Sequence, residues 1–330
     1  MGWALTVLAL ATVLAVIFVN GWTDASGAIV NVVTTGSLSY RRAAALAAGC
    51  NLVGTLAFSL LMPRVALTMT DLVRFEGASP SEGLLALCGG FLGVVLFSAA
   101  AWWFGIPTSE SHGLTAGLIG AGLGLSRPVG AESLSLVLWG MGLSLALGGG
   151  LGWLFQKLLG RHLQKSGERA LDTLQIFGAA AAALMHGGQD GQKFVAVLCL
   201  VWAMVFGPAP TGGWYLAAAA LCAGVIALGT ASGGRRIIIR VGEELVQVRK
   251  EQGVTADLGS ALTLLLLSAA GVPASTTHTK TAALAGAARA GGKGTVDRKA
   301  LLGMLWVWLL TFPACGLISY LLTKLFLAAL

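Results

Sequence analysis

Long apolar runs separated by short polar clusters fill this chain. They occur at residues 4–19, 43–62, 84–104, 132–155, 173–185 continuing through 191–206, 214–230, 256–271 and 300–328. A helix rises 1.5 Å per residue, so each run crosses or nearly crosses a hydrocarbon layer about 30 Å thick. In lipid every backbone polar group needs an internal partner, and the pattern therefore predicts helices. Two interruptions inside apolar sequence set the organisation: Gly21-Trp22-Thr23-Asp24 and Gly187-Gly188-Gln189-Asp190, whose aspartates are 166 positions apart (190 − 24). A second pair, GIPTSESH at 105–112 and GVPASTTH at 271–278, repeats at the same 166 (271 − 105). Two motifs in one order at one offset mean two copies of a unit of about 165 residues. The expected division is a first transmembrane repeat at 1–155, a linker at 156–171 and a second repeat at 172–330. Both Asp motifs are expected to break their helices.

Composition makes the membrane reading firm. The 330 residues are 56% hydrophobic and 11% charged, with mean hydropathy +0.82, where a soluble domain carries about 25% charge. The first run is expected to stay as a span rather than act as a signal peptide, because no Lys or Arg precedes Arg41 and no small-residue cleavage site follows it. The five cysteines, Cys50, Cys88, Cys199, Cys222 and Cys315, lie in apolar segments without CxxC spacing and read as reduced packing residues. A net charge of +7 raises a nucleic-acid partner, but the basic residues sit in loops between spans with no interleaved aromatics, which excludes it.

Those basic residues instead report orientation. With both termini outside a cell (inner) membrane, Arg41 and Arg42, then Lys157, Arg161, Lys165 and Arg169, then Arg235, Arg236, Arg240, Arg249 and Lys250, then Arg289, Lys293, Arg298 and Lys299 fall on the cytoplasmic side. Outside are Arg64, Arg74, Arg127 and Lys324. This satisfies the positive-inside rule and gives corresponding loops of the two copies opposite bias, so the copies are inverted. The fold class expected is all-α and polytopic, with two inverted repeats, broken helices and paired re-entrant hairpins, a transporter architecture with its site near the midplane. The stretch 235–252 is amphipathic and reads as a helix on the cytoplasmic surface or a solvated linker helix.

An ionised carboxylate in a membrane segment costs several kcal/mol unless compensated. Asp24 and Asp190, each preceded by glycine nearby, combine with Asn20, Thr23, Gln189 and Gln192 into a hard-oxygen set suited to sodium, or into carboxylates suited to a proton. The alternative is a helix N-cap. The Gly-x-Pro turns offer free N–H groups, hydroxyls and helix N-termini, an anion cradle, with Ser109, Ser111, Ser275, Thr276 and Thr277 converging. His112 and His278 follow the turns as neutral rings bonded to the turn backbone, or as ligands or proton relays. His186 lies beside the second Asp motif, opposite Asn20. Lys193 and Lys280 are basic residues at membrane depth, and each needs an anion: Asp190, Glu110 or the substrate.

NGWTDASGAIV, MHGGQDGQKF, GIPTSESH and GVPASTTH, in this order over essentially the whole chain, resemble the signatures of the inorganic phosphate transporters, sodium- or proton-coupled permeases that include some sulfate permeases. The resemblance implies an inverted-repeat fold, commonly dimeric, that moves phosphate with a coupling cation and without a cofactor. Asp24 and Asp190 would be its cation aspartates, with sodium at either, and the Ser/Thr turns its phosphate site. Thr23 and Gln189 stand where the family usually has Asn or His before each Asp, and Gly27 where it usually has Asn, which leaves the coupling ion open. Glu110 stands in the oxyanion set where a hydroxyl is usual, so it must be protonated, paired with a lysine, or turned away.

The leading expectation is a symporter for a tetrahedral oxyanion, phosphate before sulfate. A channel is the competing class. An enzyme is disfavoured, because duplicated hydroxyls suit binding rather than an asymmetric nucleophile–base pair. ATP drive within the chain is disfavoured too, because no GxxxxGK[ST] occurs.

Overall fold

The computed structural model describes residues 2–330 except 25, 107, 236, 237, 239–245, 248, 293 and 294. In order, its helices are α1 (Gly2–Thr23), α2 (Ser26–Thr34), α3 (Tyr40–Leu61), α4 (Arg64–Thr70), α5 (Pro80–Trp103), α6 (Glu110–Gly124), α7 (Ala131–Leu163), α8 (Glu168–Phe206), α9 (Gly212–Ser232), α10 (Lys250–Ala269), α11 (Thr276–Gly291) and α12 (Arg298–Ala328). Two two-residue strands, β1 (Val246–Gln247) and β2 (Thr295–Val296), pair antiparallel between α9 and α12. Most of the amphipathic stretch at 235–252 lies outside the described residues.

Among the described residues, eight helical runs are long and apolar enough to span a bilayer, α1 and α2 counting as one. Their outer faces carry bare Trp3, Trp103, Trp139, Trp214, Trp306 and many leucines, while the interior holds Asp24, Glu110, Asp190, Lys193, Asp257 and Lys280. Exposed apolar and buried charged side chains together are the reverse of a soluble protein's distribution. This is a multi-pass membrane protein.

The two copies interleave. With the 166 offset, α1–α2 correspond to α8, α3 to α9, α5 to α10, α6 to α11 and α7 to α12. Packing obeys the correspondence: α3 lies on α8 as α9 lies on α1, α6 on α12 as α11 on α7, and α5 on α12 as α10 on α7. Residues 1–155 and 172–330 therefore share one body, and between α7 and α8 only residues 164–167 are outside a helix. Repeat-equivalent residues that touch must lie on the pseudo-two-fold axis. Ser109 and Ser275 do, with hydroxyls 2.8 Å apart, and so do His112 and His278, with ring centroids 4.6 Å apart.

Local sequence explains how the hairpins turn. α5 starts with a capping box, Ser79 Oγ accepting from Glu82 N–H and Glu82 accepting from Ser79 N–H, with Pro80 in the first turn. It ends at Gly105, whose φ of 66° matches the 73° of Gly271 at the equivalent end of α10. Side chains are disfavoured in that left-handed region, which accounts for glycine at both.

The expectation that both Asp motifs break their helices is correct only for the first. Helix stops at Thr23 and resumes at Ser26, but α8 runs unbroken for 39 residues through Asp190. Asp190 finds its compensation on its own helix, one turn away on either side, and need not free the backbone. The glycines beside it serve contact with α3. A Cβ at Gly187 would sit 2.7 Å from Asn51 Cα, so Gly187→Ala should destabilise the protein by about 1–3 kcal/mol through overpacking. Gly150→Ala, where a Cβ would meet nothing within 4 Å, should be neutral or slightly stabilising. Thermal unfolding in detergent, followed by fluorescence-detected size exclusion, checks the pair.

Candidate functional site

Polar side chains from α1, α6, α8 and α11 meet in a layer between two apolar clusters, one built on α1, α5 and the second half of α8, the other on α2, α3 and the first half of α8. Asp24, at the gap between α1 and α2, accepts hydrogen bonds from Thr276 (2.9 Å) and Thr277 (2.5 Å) at the start of α11. Asp190 accepts from Asn20 at Oδ2 (3.2 Å) and from Lys193 at Oδ1 (2.7 Å), and His186 Nε2 lies 3.3 Å from Oδ2. Thr276 bridges the aspartates, its hydroxyl also 3.4 Å from Asp190. Ligand atoms of Asp24, His186 and Asp190 all lie within 4.8 Å of one another. His186 thus spans two partners, its Nδ1 3.1 Å from the Asn51 side-chain oxygen and its Nε2 toward Asp190. A cavity of about 20 Å³, bordered by Asp24, Gly27, His186, Thr276, Thr277 and Lys280, adjoins them. That is room for one water-sized occupant.

The structure divides the hydroxyl set predicted for an anion. Ser109 and Ser275 face each other on the axis, both buried. Ser275 is also the N-cap of α11, accepting from His278 N–H (3.2 Å). Thr276 and Thr277 turn toward Asp24 instead, and Ser111 donates to the Ala274 carbonyl (3.2 Å) and accepts from Lys193. The divergence follows from helix geometry: residues 276 and 277 start α11, and side chains one position apart point in different directions.

Glu110 is paired with neither lysine. Ser98 (2.8 Å), Thr23 (3.0 Å) and Thr108 (3.5 Å) donate to it, so its carboxyl faces α1 and α5 rather than the Ser109–Ser275 pair. Lys193 is bound to Asp190, and Lys280 to Asp257 on α10, a partner the sequence reading did not name. Asp257 also accepts from Asn31 (2.8 Å). Thr23 thus serves Glu110 rather than the cation set, and Gln189 latches the second turn, donating to Val272 O (3.1 Å) and accepting from Ala274 N–H (3.3 Å). Gln192 accepts from Val65 N–H (3.1 Å), holding α4. His278 does not bond its turn backbone through the ring; it packs on His112 and, at 4.0 Å, on Trp308. Ser98, Asn51 and Asp257 carried no motif, which is why pattern reading passed over them.

Comparison with known proteins agrees with this architecture. The model of the phosphate transporter family matches residues 20–171 and 156–319, nearly the whole chain. The chain belongs to the phosphate transporter family. Within that family it is 32% identical to a probable low-affinity inorganic phosphate transporter of Rhizobium meliloti, over 92% of this chain and 90% of the relative. It is 27% identical to one of Bacillus subtilis, over 96% of each. A sodium-dependent phosphate transporter 1-B of Danio rerio is 32% identical over 46% of this chain and 23% of its own. A solved structure described as the sodium-dependent phosphate transporter superposes with a TM-score of 0.86 at 19% identity, covering 99% of this chain and 100% of that one, which shows a shared fold. Members of this family are transporters and not enzymes, and their substrate is phosphate.

Proposed function

We propose that this phosphate transporter family member is a symporter that carries inorganic phosphate inward across the cytoplasmic membrane with a monovalent cation, sodium or a proton. The observation that carries the reading is the charge balance of the buried layer. Asp24, Glu110, Asp190 and Asp257 are all buried, and Lys193 and Lys280 are the buried ammoniums among the described residues. Adding a phosphate anion to a layer already short of positive charge is prohibitive unless a cation enters with it. Asp24, which accepts from two hydroxyls, has no lysine at ion-pair distance among the described residues and has a small cavity beside it, is where that cation binds. The Ser109–Ser275 pair on the axis, at the starts of α6 and α11, receives the anion, because two helix N-termini and two hydroxyl donors converge there. Reciprocal packing of the copies, with the charge bias of the loops, supports an inverted arrangement with both termini outside.

Labelled phosphate should accumulate in proteoliposomes when a sodium or proton gradient is imposed, with sulfate a weaker substrate. Conductance without a gradient requirement would establish the channel class instead. Ser109→Ala and Ser275→Ala should each weaken phosphate affinity about tenfold or more, since a hydrogen bond to a charged group contributes about 1.5–3 kcal/mol. Unchanged affinity in both would move the anion elsewhere.

A further inference from the structure

The two aspartates have repeat-related surroundings that differ at several positions, Glu110 against Thr276 and Asn20 against His186 among them, and the difference at Lys193 changes the charge. Around Asp190 the ammonium of Lys193 lies 2.7 Å from Asp190 Oδ1, 2.6 Å from Ser111 Oγ and 2.6 Å from the Ala274 carbonyl. Carboxylate and carbonyl can only accept, and the Ser111 hydroxyl already donates to Ala274 O. The ammonium therefore spends all three of its N–H donors on a carboxylate, a hydroxyl and a carbonyl. Shifted by the repeat offset, those oxygens become Asp24, Thr277 and the carbonyl of Thr108. They too are neighbours: Thr277 Oγ lies 2.5 Å from Asp24 Oδ1 and 3.3 Å from Thr108 O, whereas Ser111 Oγ bonds Ala274 O and reaches Asp190 through the Lys193 ammonium. The position equivalent to Lys193 is Gly27, which has no side chain and borders the cavity beside Asp24.

We infer that Lys193 is a tethered cation: it permanently fills one of two repeat-related three-oxygen cradles, so that a single exchangeable cation, at Asp24, accompanies each phosphate. Three oxygens of mixed type around a compact positive charge are the ligands a dehydrated monovalent cation also requires, and an ammonium supplied by the chain makes that cradle indifferent to the cation outside. The two copies have thus diverged in function while keeping these three oxygens in correspondence. One cradle is fixed and structural, and the other is open to exchange. This inference rests on the cation-coupled reading above and sharpens it to a count.

Both directions of change can be made. Lys193→Ala leaves the three oxygens without their ammonium, and the variant should require one more cation per phosphate than the parent. The Hill coefficient of uptake against sodium, or against protons if those drive the parent, should rise from about one to about two. Gly27→Lys, where a Cβ would meet nothing within 4 Å, brings an ammonium to Asp24 and should make phosphate binding indifferent to either cation. Proteoliposome uptake and equilibrium binding of labelled phosphate to the full chain read both. If neither gradient drives the parent, the coupled reading itself fails. If a gradient drives the parent with two or more cations per phosphate, or if folded Lys193→Ala and Gly27→Lys keep the parent's cation dependence, the tethered-cation assignment is wrong and coupling stands. Should one variant not fold, the other and the parent's own count decide.

Discussion

Asp24→Asn is expected to yield a folded, inserted protein that no longer accumulates phosphate against its gradient, with driven uptake down roughly 100-fold or more, equivalent to about 2.7 kcal/mol. The amide matches the carboxylate in shape, and the hydroxyls of Thr276 and Thr277, which now donate to Asp24, can rotate to accept from it. Packing is preserved while the negative charge is lost. Removing a buried charge that no lysine among the described residues pairs with directly should leave thermal stability equal or raise it. Asp190→Asn should behave differently, because it strands the Lys193 ammonium beside Ser111 and Ala274, at a cost of about 3–5 kcal/mol. Melting curves alongside gradient-driven uptake separate the two. Wild-type uptake by Asp24→Asn, or a melting temperature as low as that of Asp190→Asn, would remove Asp24 from the coupling role.

The contrast between the aspartates also marks what could be read from sequence. Spans, repeat and offset were legible because lipid allows one backbone solution and a duplicated motif leaves a fixed spacing. Gly105 and Gly271 are turn glycines in the structure as in the pattern. Motif equivalence did not reveal asymmetry within the pair. Gly-rich sequence around Asp24 and Asp190 looks alike, and Gly21 is pressed against Ile226 of α9 just as Gly187 is against Asn51 of α3, yet the helix stops after the first and runs on through the second. Whether a helix stops there depends on what the surrounding elements offer its carboxylate, and that is a long-range fact. The direction of the hydroxyls was hidden for the same reason. Ser275, Thr276 and Thr277 are consecutive, but only their helical phase sends the first to the axis and the other two to Asp24. Asp257 lies in an apolar run with no motif around it, and only the approach of α11 to α10 shows it to be the partner of Lys280.

That pair makes the second large prediction. Lys280→Met should lower the melting temperature substantially, corresponding to about 3–5 kcal/mol, because Asp257 is fully buried and would keep only Asn31 as a donor among the described residues. Met fills the space of the lysine stem, so a lost cavity contact is not the cause. Lys280→Met combined with Asp257→Asn removes both charges and should recover most of the loss, since an apolar or neutral replacement of a whole buried pair is often near neutral. Failure of the double variant to recover would mean that stem packing, rather than the stranded charge, dominates. Transport gives an independent reading. Lys280 also reaches the Ala28 carbonyl at 3.5 Å in α2 and borders the cavity beside Asp24. It therefore anchors the short helix that follows the break and contributes positive potential to the cation place. The recovered double variant should fold but hold its cation more tightly, because, of the two charges removed, the repelling Lys280 borders that cavity while the attracting Asp257 does not. Half-saturation of uptake should then shift to lower cation concentration, whereas a purely structural pair would leave it where it is.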